Sequence, residues 1–431
     1  MAAGIAWSPP AVDPPQKAFR ARGLPNRNPN PPLSGSLSRL THAVRIAYIT
    51  ETYPPEVNGV SLTVERAVEH LRSAGHAVQL VRPRQRGEPA VDSADEWRCA
   101  GGPIPMYSEL RYGWASVSAL RRRWRSSATQ LVHVATPGPL GWAALSAARE
   151  EGIATSADFR TNFHAYSRHY GLAWIEPLVL SWLRRLHALA DVTFVPTPAL
   201  AARLSEQGFE RLQVVGRGVD AKRFSPTWRD PWLRSGWHAA KHDPVLLHVG
   251  RLAPEKNVGM ALQTFEQLRR ETPALRMVVV GDGPLRQRLE LQHPQARFVG
   301  MQRGNELARH YASADVFLFP SLTDTFGNVT LEALASGLAV VAYDTAAAGM
   351  HITEGESGWL APPDAAEGFI EATRRALDAE GSVTEPQSAL RRQARAAALC
   401  ADWGAVLRGF DLRLRAVAAA TTEPIEHAAM A

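Results

Sequence analysis

Residues 243–362 of this chain repeat one pattern, in which a short apolar run is followed by a turn and then by apolar residues at helical spacing. The apolar runs read PVLLHVG, LRMVVVG, ARFVG, DVFLFPS, LAVVAYDT and GWLAPP. They are nearly continuous rather than alternating, so the strands are expected to form a parallel sheet with helices on both faces. The pattern predicts an α/β domain in which each strand is followed by a helix.

The first half of the chain carries a similar series. RIAYIT is followed by apolar residues at helical spacing between 64 and 71 and then by AVQLVRP, which predicts a strand–helix–strand unit. Further strands are expected at 131–136 and 192–197, and a helix at 174–189. A chain of 431 residues is longer than a domain with a single hydrophobic core ordinarily is. The chain is therefore expected to hold two Rossmann-like domains in tandem, with a cleft between them.

The predicted boundaries follow composition and pattern. Residues 1–43 form a Pro- and Arg-rich tail that is expected to be disordered and, lacking an apolar core segment, not to be a signal peptide. The first domain is expected at 44–225 and the second at 226–395, with 208–226 in the passage between them. Residues 396–431 are expected to form a helix, which packs back on the first domain, and a tail.

Charge and cysteine content exclude several classes of protein. The net charge is +6, but five basic residues against Asp13 place +4 of it in the first 44 residues. The remainder lacks the concentrated basic surface that nucleic-acid binding requires. The sequence has no apolar run of about 18 residues, so no transmembrane helix is expected. Two distant cysteines suit a reducing cytoplasm rather than a disulfide framework.

Basic residues and glycines follow the strands of the second domain. Arg251 comes directly after one predicted strand, Lys256 lies five residues later, and the loop TDTFGN opens a helix after another strand. Ligands of open parallel sheets bind at the carboxyl ends of the strands, and a helix N-terminus attracts anions. These features predict a diphosphate site, although each cation taken alone is equally well explained as a solvated surface charge.

Two carboxylates, Asp324 and Glu332, flank the same loop. The chain contains neither Asp-x-Asp nor a P-loop motif, so no metal or other cofactor is expected at the diphosphate. The two acids then suit recognition of sugar hydroxyl groups. A purely structural role for Asp324 near the helix N-terminus remains the alternative.

Four motifs together resemble family 4 of the glycosyltransferases: NGV at 58–60, GRLAPEKN, VVGDGP, and the Asp-x7-Glu pair within PSLTDTFGNVTLEALASG. The resemblance extends from Val44 to about residue 415. It implies the two-domain GT-B fold and sugar transfer with retention of anomeric configuration. The first acid of the pair is usually glutamate, and an aspartate there is similar to the mannosyltransferase and sulfoquinovosyltransferase branch.

The resemblance also implies roles for individual residues. Arg251 and Lys256 would bind the donor diphosphate, Asp324 the transferred sugar and Glu332 the ribose. Further contacts to the nucleotide sugar would come from Gly59, Gly281, Gly283, Phe326, Gly327, Asn328 and Val329. An ordinary turn glycine is the alternative for Gly59.

The stretch DFRTNFHAYSRHYG at 158–171 is expected on the acceptor side. Relatives often carry HTNF where this chain has Arg160, and arginine cannot act as a base, although it can bind a phosphate or a sugar oxygen. Arg160, Asn162 and His164 are therefore the acceptor-side candidates, with weaker support for Asp158 and Tyr166. His133 is explained equally well as a hydrogen-bonded core histidine.

Residues 110–126 carry five arginines and two tryptophans. A basic, aromatic helix there would suit peripheral contact with the inner face of an anionic membrane, and a solvated helix face is the alternative.

The expected reaction is transfer of a mannose- or glucose-type hexose from a nucleotide diphosphate sugar to a lipid or saccharide hydroxyl in the cytoplasm. Two alternatives stay open. One is an epimerase or phosphorylase of the same fold, and the other is a non-catalytic sugar-nucleotide-binding subunit, which Arg160 suggests.

Overall fold

The computed structural model describes residues 42–56, 59–85, 87–88, 93, 95–104, 107–160, 176–322, 324, 326–379, 385 and 388–422. The predicted N-terminal tail up to residue 41 lies outside these ranges, as do Asn162, His164 and Tyr166.

The first sheet has the order β4-β3-β2-β1-β5-β6-β7-β8, and only the β3–β4 pair is antiparallel. Its strands are β1 (Arg45–Ile49), β2 (Ala77–Pro83), β3 (Glu96–Ile104), β4 (Tyr107–Trp114), β5 (Leu131–Val134), β6 (Ala154–Asp158), β7 (Val192–Val195) and β8 (Leu212–Val214). The helices that accompany it are α1 (Gly59–Ser73), α2 (Val117–Ser127), α3 (Pro139–Glu150), α4 (Glu176–His187) and α5 (Pro198–Glu206).

The second sheet is wholly parallel, in the order β11-β10-β9-β12-β13-β14. Its strands are β9 (Val245–Val249), β10 (Arg276–Val280), β11 (Arg297–Gly300), β12 (Val316–Phe319), β13 (Ala339–Tyr343) and β14 (Gly358–Ala361). The helices are α6 (Pro231–Gly236), α7 (Val258–Glu271), α8 (Arg286–Gln292), α9 (Gly304–Ser313), α10 (Asn328–Ala335), α11 (Ala346–His351), α12 (Ala366–Leu377), α13 (Ala389–Leu399) and α14 (Trp403–Thr422), with 3₁₀ turns at Pro226–Trp228 and Pro254–Lys256.

Both faces of the second sheet are covered, as its apolar strands predict. Val245, Leu247 and Val249 of β9 contribute to one hydrophobic cluster, whereas Leu246 contributes to another. Successive side chains of a strand point to opposite faces, so only a sheet buried on both sides needs every position apolar. The doubly covered parallel sheet is thereby confirmed.

The chain returns to the first sheet at its end. Val219 of the outgoing passage donates a backbone hydrogen bond to Ala401, and Trp403 donates one back to Val219. Leu407, Phe410 and Leu414 of α14 then pack in a core cluster with residues of β1 and α1. A hydrogen bond of 2.8 Å from Nε2 of His76 to Oδ1 of Asp411 also joins α14 to the first domain, while Nδ1 of His76 accepts from the Val44 amide. No helix within the described ranges is both long and apolar enough to cross a membrane.

The prediction of a basic helix at 110–126 is wrong for the residues before 117. Residues up to Trp114 belong to the edge strand β4, and the helix begins only at Val117, where the Ser116 side chain accepts from the Ala119 amide. Trp124 is buried in the core, and Glu151 pairs with both Arg121 and Arg125. Because acids of the protein neutralise these arginines, α2 is less basic than its sequence suggests.

Candidate active site

A cavity of about 710 Å³ lies between the two sheets, at the carboxyl ends of their strands. One wall is built by residues that follow β1, β5 and β6, and the other by residues that follow β9 and β12. The predicted site residues that line the cavity are Gly59, Arg160, Arg251, Lys256, Asp324, Gly327, Asn328 and Val329. The predicted site residues Glu332, Gly281, Gly283 and Phe326 do not line it.

Two helices begin on opposite walls of this cavity, α1 at Gly59 and α10 at Asn328. A Cβ atom added to Gly59 would lie 3.6 Å from Nδ2 of Asn328, so the two helix ends nearly touch. Neither helix has an acidic residue in its first turn. Both helix N-termini therefore direct partial positive charge to one point, which suits an anion.

Lys256 and Asp324 form an ion pair beside these helix ends. The Lys256 Nζ lies 2.7 Å from Oδ1 and 2.8 Å from Oδ2 of Asp324, and the Ser321 hydroxyl donates to Oδ2 at 2.5 Å. Burial acts to raise the pKa of Asp324, but the Lys256 charge and these hydrogen bonds outweigh it, so the pKa is lowered. Lys256 and Asp324, which were both predicted to bind the donor, thus neutralise each other's charge.

Arg251 lies on a loop whose path depends on two glycines. A Cβ atom on Gly281, where φ is +137°, would lie 1.9 Å from the Gly250 carbonyl oxygen, and one on Gly283 would lie 2.5 Å from that of Leu252. Both glycines pack closely against the residues on either side of Arg251, and their predicted contact with the donor stays a prediction. They position this arginine rather than line the cavity.

Glu332 lies one turn into α10 and accepts a hydrogen bond of 2.9 Å from the Tyr311 hydroxyl. Burial raises the pKa of Glu332 to about 7, although that hydrogen bond and the charges of Arg223 and Arg66 act in the opposite direction. The two acids predicted to bind the donor therefore differ in their protonation behaviour: the pKa of Glu332 is raised, whereas the pKa of Asp324 is lowered.

Phe326 does not present its ring to the cavity. The residue is 1% exposed and belongs to a hydrophobic cluster of the second domain, while its backbone carbonyl accepts from the Ala347 amide. The apolar ring is more stable in the core, where it anchors the loop before α10, and the predicted donor contact of this residue stays a prediction.

Arg160 is held by a buried polar group beneath the cavity. Its Nε donates to Oδ2 of Asp158 at 2.5 Å, and the same oxygen lies 3.1 Å from Nε2 of His133. His133 is 0% exposed, and its other ring nitrogen lies 2.9 Å from the Ser156 hydroxyl. Arg160 therefore enters the cavity as an anchored cation, and His133 supports it from the core.

Arg217 and Glu51 also line the cavity, although neither was among the predicted site residues. Arg217, from the passage between the sheets, donates to the Arg160 carbonyl at 3.1 Å, and its charge helps to lower the pKa of Asp324. Glu51 follows β1, and burial raises its pKa to about 7 against hydrogen bonds from the Leu140 and Gly113 amides. Glu51 could have been identified from the sequence, because ligands of parallel sheets bind at the carboxyl ends of the strands and Glu51 follows β1. No local sequence pattern distinguishes Arg217.

The two sheets and the cavity between them define the GT-B fold. The fold is shared with sucrose-phosphate synthase from Thermosynechococcus elongatus, with a TM-score of 0.72 and 20% identity over 88% of this chain and 100% of that chain.

Sequence comparisons identify the family. Residues 57–223 match the model of Glycosyltransferase Family 4, and residues 243–379 match that of Glycosyl transferases group 1. A GDP-mannose-dependent alpha-mannosyltransferase of Mycobacterium tuberculosis is 37% identical over 79% of this chain and 92% of its own length. An alpha-monoglucosyldiacylglycerol synthase of Streptococcus pneumoniae is 27% identical over 70% of this chain and 71% of its own length. The chain belongs to glycosyltransferase family 4, which confirms the family resemblance.

Proposed function

We propose that this protein transfers a hexose, with mannose as the first candidate, from a nucleotide diphosphate sugar to a hydroxyl group of a lipid or glycolipid, with retention of anomeric configuration. The observation that carries the proposal is the meeting of the α1 and α10 N-termini in a cavity that Lys256 and Arg251 also line. Two helix ends and two cations are together suited to bind a diphosphate and to stabilise it as it leaves.

In the proposed donor complex, the diphosphate lies in the cavity against the N-termini of α1 and α10, beside Lys256 and Arg251. Lys256 turns part of its charge from Asp324 to a phosphate oxygen, so Asp324 becomes free to accept a hydrogen bond from the sugar. Glu332, in its ionised form, accepts from the ribose hydroxyls. The two acids would thus bind the two sugars of the donor.

In the proposed transfer step, the bond between the anomeric carbon and the phosphate oxygen breaks, and its electron pair goes to the diphosphate. Lys256, Arg251 and the helix ends stabilise that charge while the sugar passes through an oxocarbenium-like state. The acceptor oxygen bonds to the anomeric carbon on the same face, and its proton passes to the departing phosphate oxygen. The acceptor oxygen itself forms the new bond to the anomeric carbon, so the route assigns Asp324 no nucleophilic role.

Support for GDP-mannose and for a lipid-type acceptor comes from the relatives. The mycobacterial relative is a GDP-mannose-dependent mannosyltransferase, and the streptococcal relative is named for a glucosyldiacylglycerol. We extend both features to this chain as parts of the proposal.

A thermal-shift screen without added metal tests the donor. It would compare GDP-mannose, UDP-glucose, UDP-galactose, UDP-N-acetylglucosamine, UDP-glucuronate and UDP-sulfoquinovose. A ligand at 100 times its Kd stabilises a protein by about 2.7 kcal/mol, so one donor should give a clear rise in Tm. Transfer is then followed as donor-dependent product in detergent micelles that contain dioleoylglycerol or octyl α-mannoside. Folded protein that responds to none of the six would overturn the proposal, and binding without transfer would favour a non-catalytic subunit.

A peripheral contact with the cytoplasmic face of a membrane is part of the same proposal, because a lipid acceptor must be reached at its surface. Near the end of β4, Trp114 is 62% exposed, while Trp124 is buried. We expect Trp114→Ala to weaken co-sedimentation with phosphatidylglycerol vesicles several-fold, since interfacial tryptophans anchor in the headgroup region. Trp232→Ala, which removes an 86% exposed tryptophan of the second domain, is the matched control. Equal binding by both variants would contradict the assigned surface.

A further inference from the structure

Glu51 is a carboxyl group of the first domain that the proposed donor chemistry does not use. It lies two residues beyond the end of β1, is 8% exposed and lines the cavity between the sheets. Its own amide donates to the Thr136 hydroxyl at 2.8 Å, which fixes the backbone there.

One oxygen of the Glu51 carboxyl group is held from two directions. Oε1 accepts from the Gly113 amide at 3.2 Å and from the Leu140 amide, in the first turn of α3, at 3.0 Å. Two main-chain donors from different elements leave the side chain little freedom to rotate. The carboxyl group is therefore fixed before any ligand arrives.

The other oxygen, Oε2, is placed against Gly138. A Cβ atom on Gly138 would lie 1.6 Å from this oxygen, so only glycine leaves room for the carboxyl group in its present position. Nothing within the described ranges donates a hydrogen bond to Oε2 or forms an ion pair with Glu51. Oε2 is not one of the enclosed unpaired oxygens of the described residues, and Glu51 lines the cavity, so this oxygen is open to a ligand there.

The cavity wall as described carries two carboxyl groups, and they differ in this respect. Asp324 is bonded to Lys256 and Ser321, whereas one oxygen of Glu51 is unfilled. Glu51 also lies on the wall of the first domain, opposite the cations of the donor side. A carboxylate repels phosphate, so its natural ligand is a neutral hydroxyl group.

The surface next to Glu51 is largely apolar. The Trp182 indole donates to the Pro137 carbonyl at 3.2 Å, directly before Gly138, and Val179 and Leu183 of the same helix also line the cavity. A ligand bound at Glu51 would thus present a hydroxyl group to Oε2 and an apolar or ring surface to α4.

We propose that Glu51 binds the acceptor, accepting through Oε2 a hydrogen bond from a hydroxyl of a neutral amphiphile, such as a diacylglycerol or an alkyl glycoside, whose apolar part packs against α4. The assignment rests on the proposed function, since it requires that a hydroxyl acceptor enters the cavity opposite a nucleotide sugar.

Glu51→Gln tests the assignment, because glutamine keeps an oxygen for the two amides and replaces Oε2 with a donor group. We expect the GDP-mannose-induced rise in Tm and the slow hydrolysis of GDP-mannose to stay within about threefold of the wild-type values, because water needs no acceptor site. The KM for dioleoylglycerol or octyl α-mannoside should rise about 10- to 100-fold, the range expected when a hydrogen bond to a charged group is lost. Glu56→Gln, an identical change at a half-buried glutamate that does not line the cavity, should leave that KM unchanged.

Gly138→Ala gives a second, independent test. Its methyl group must displace the Glu51 carboxyl group, so the same rise in acceptor KM is expected while the charge is kept. In a Glu51→Ala background the methyl group has nothing to displace, and Gly138→Ala should add little.

The outcomes separate the two proposals. Normal transfer by Glu51→Gln, or a full additional loss from Gly138→Ala in the Glu51→Ala background, overturns the role of Glu51 alone. A fall in donor binding equal to the fall in acceptor binding also overturns it, since the residue would then be a general structural support. Wild-type protein that binds GDP-mannose but transfers to neither probe contradicts the proposed acceptor class, and with it this assignment.

Discussion

Lys256→Ala is the change that tests the site most directly. Lys256 is the cation bonded to both oxygens of Asp324, at 2.7 and 2.8 Å, and its side chain is only 16% exposed. In the proposed reaction the ammonium group stabilises charge that develops on the departing diphosphate. Loss of one such preorganised donor lowers kcat by about 10²- to 10³-fold, and a full charge at a partly buried site should cost at least that much.

The assay is the release of nucleoside diphosphate at saturating acceptor, with kcat and donor KM measured separately. We expect most of the loss in kcat, because the charge on the leaving group is greater in the transition state than in the bound donor. Lys241→Ala, at an exposed lysine of the second domain, is the matched control and should keep full activity. A fall in kcat of less than tenfold for Lys256→Ala would refute the assigned role.

A loss of activity could also arise because Asp324 is left without its counter-charge. The double variant with Asp324→Asn separates the two effects. Removing both charges should restore much of the thermal stability that Lys256→Ala loses, since no unpaired carboxylate remains. Turnover should stay low, because neither the phosphate nor the sugar is then bound as proposed. Recovery of turnover together with stability would mean that the pair is structural.

Three further predictions concern the second domain. Donor affinity should increase as pH rises to about 7 and then level off, since the pKa of Glu332 is raised to about 7 by burial and its ionised form binds the ribose; Glu332→Gln should remove this dependence in calorimetric titrations between roughly pH 5.5 and 8.5. Asp315→Ala should lower the unfolding free energy by about 3–5 kcal/mol in chemical denaturation, because this fully buried acid is shared by Arg234 at 2.9 Å and Arg391 at 3.5 Å; a loss below about 1 kcal/mol would contradict that. Gly281→Ala should weaken the donor-induced thermal shift, since its Cβ atom would displace the Gly250 carbonyl and the loop of Arg251; an unchanged shift would contradict the positioning role.

The strands of the second sheet could be predicted from the sequence because each is an apolar run with a clear turn after it. The predicted helix at 174–189 also corresponds to α4, and the predicted passage at 208–226 includes β8, a three-residue strand at the edge of the first sheet. β3, β4 and β6 were missed. EWRCAGGPI (β3) and YSELRYGW (β4, at the sheet edge) are polar or glycine-rich, and ATSAD (β6) is buried without any large apolar side chain. Tertiary pairing rather than local pattern makes these segments strands.

The residues of the second domain that line the cavity could likewise be predicted from the sequence. Arg251, Lys256, Asp324 and Asn328 each follow a strand of one parallel sheet, and the carboxyl ends of such strands meet at one edge whatever the loops between them. The cavity residues outside the second sheet were harder to predict, because Glu51 and Arg217 lie outside any motif. They reach the cavity only through the packing of two domains.

The sequence by itself determined the two strand–helix series, the parallel second sheet with the order of its strands along the chain, and the set of groups at the edge of that sheet, because periodicity and chain order act locally. Only the tertiary structure decided which of those groups pair. It joined Lys256 to Asp324, brought the Tyr311 hydroxyl into a hydrogen bond with Glu332, turned Phe326 into the core and left one oxygen of Glu51 unfilled. These outcomes depend on distances between residues far apart in the chain and on the burial that shifts their charge states, and neither quantity is encoded in a local pattern.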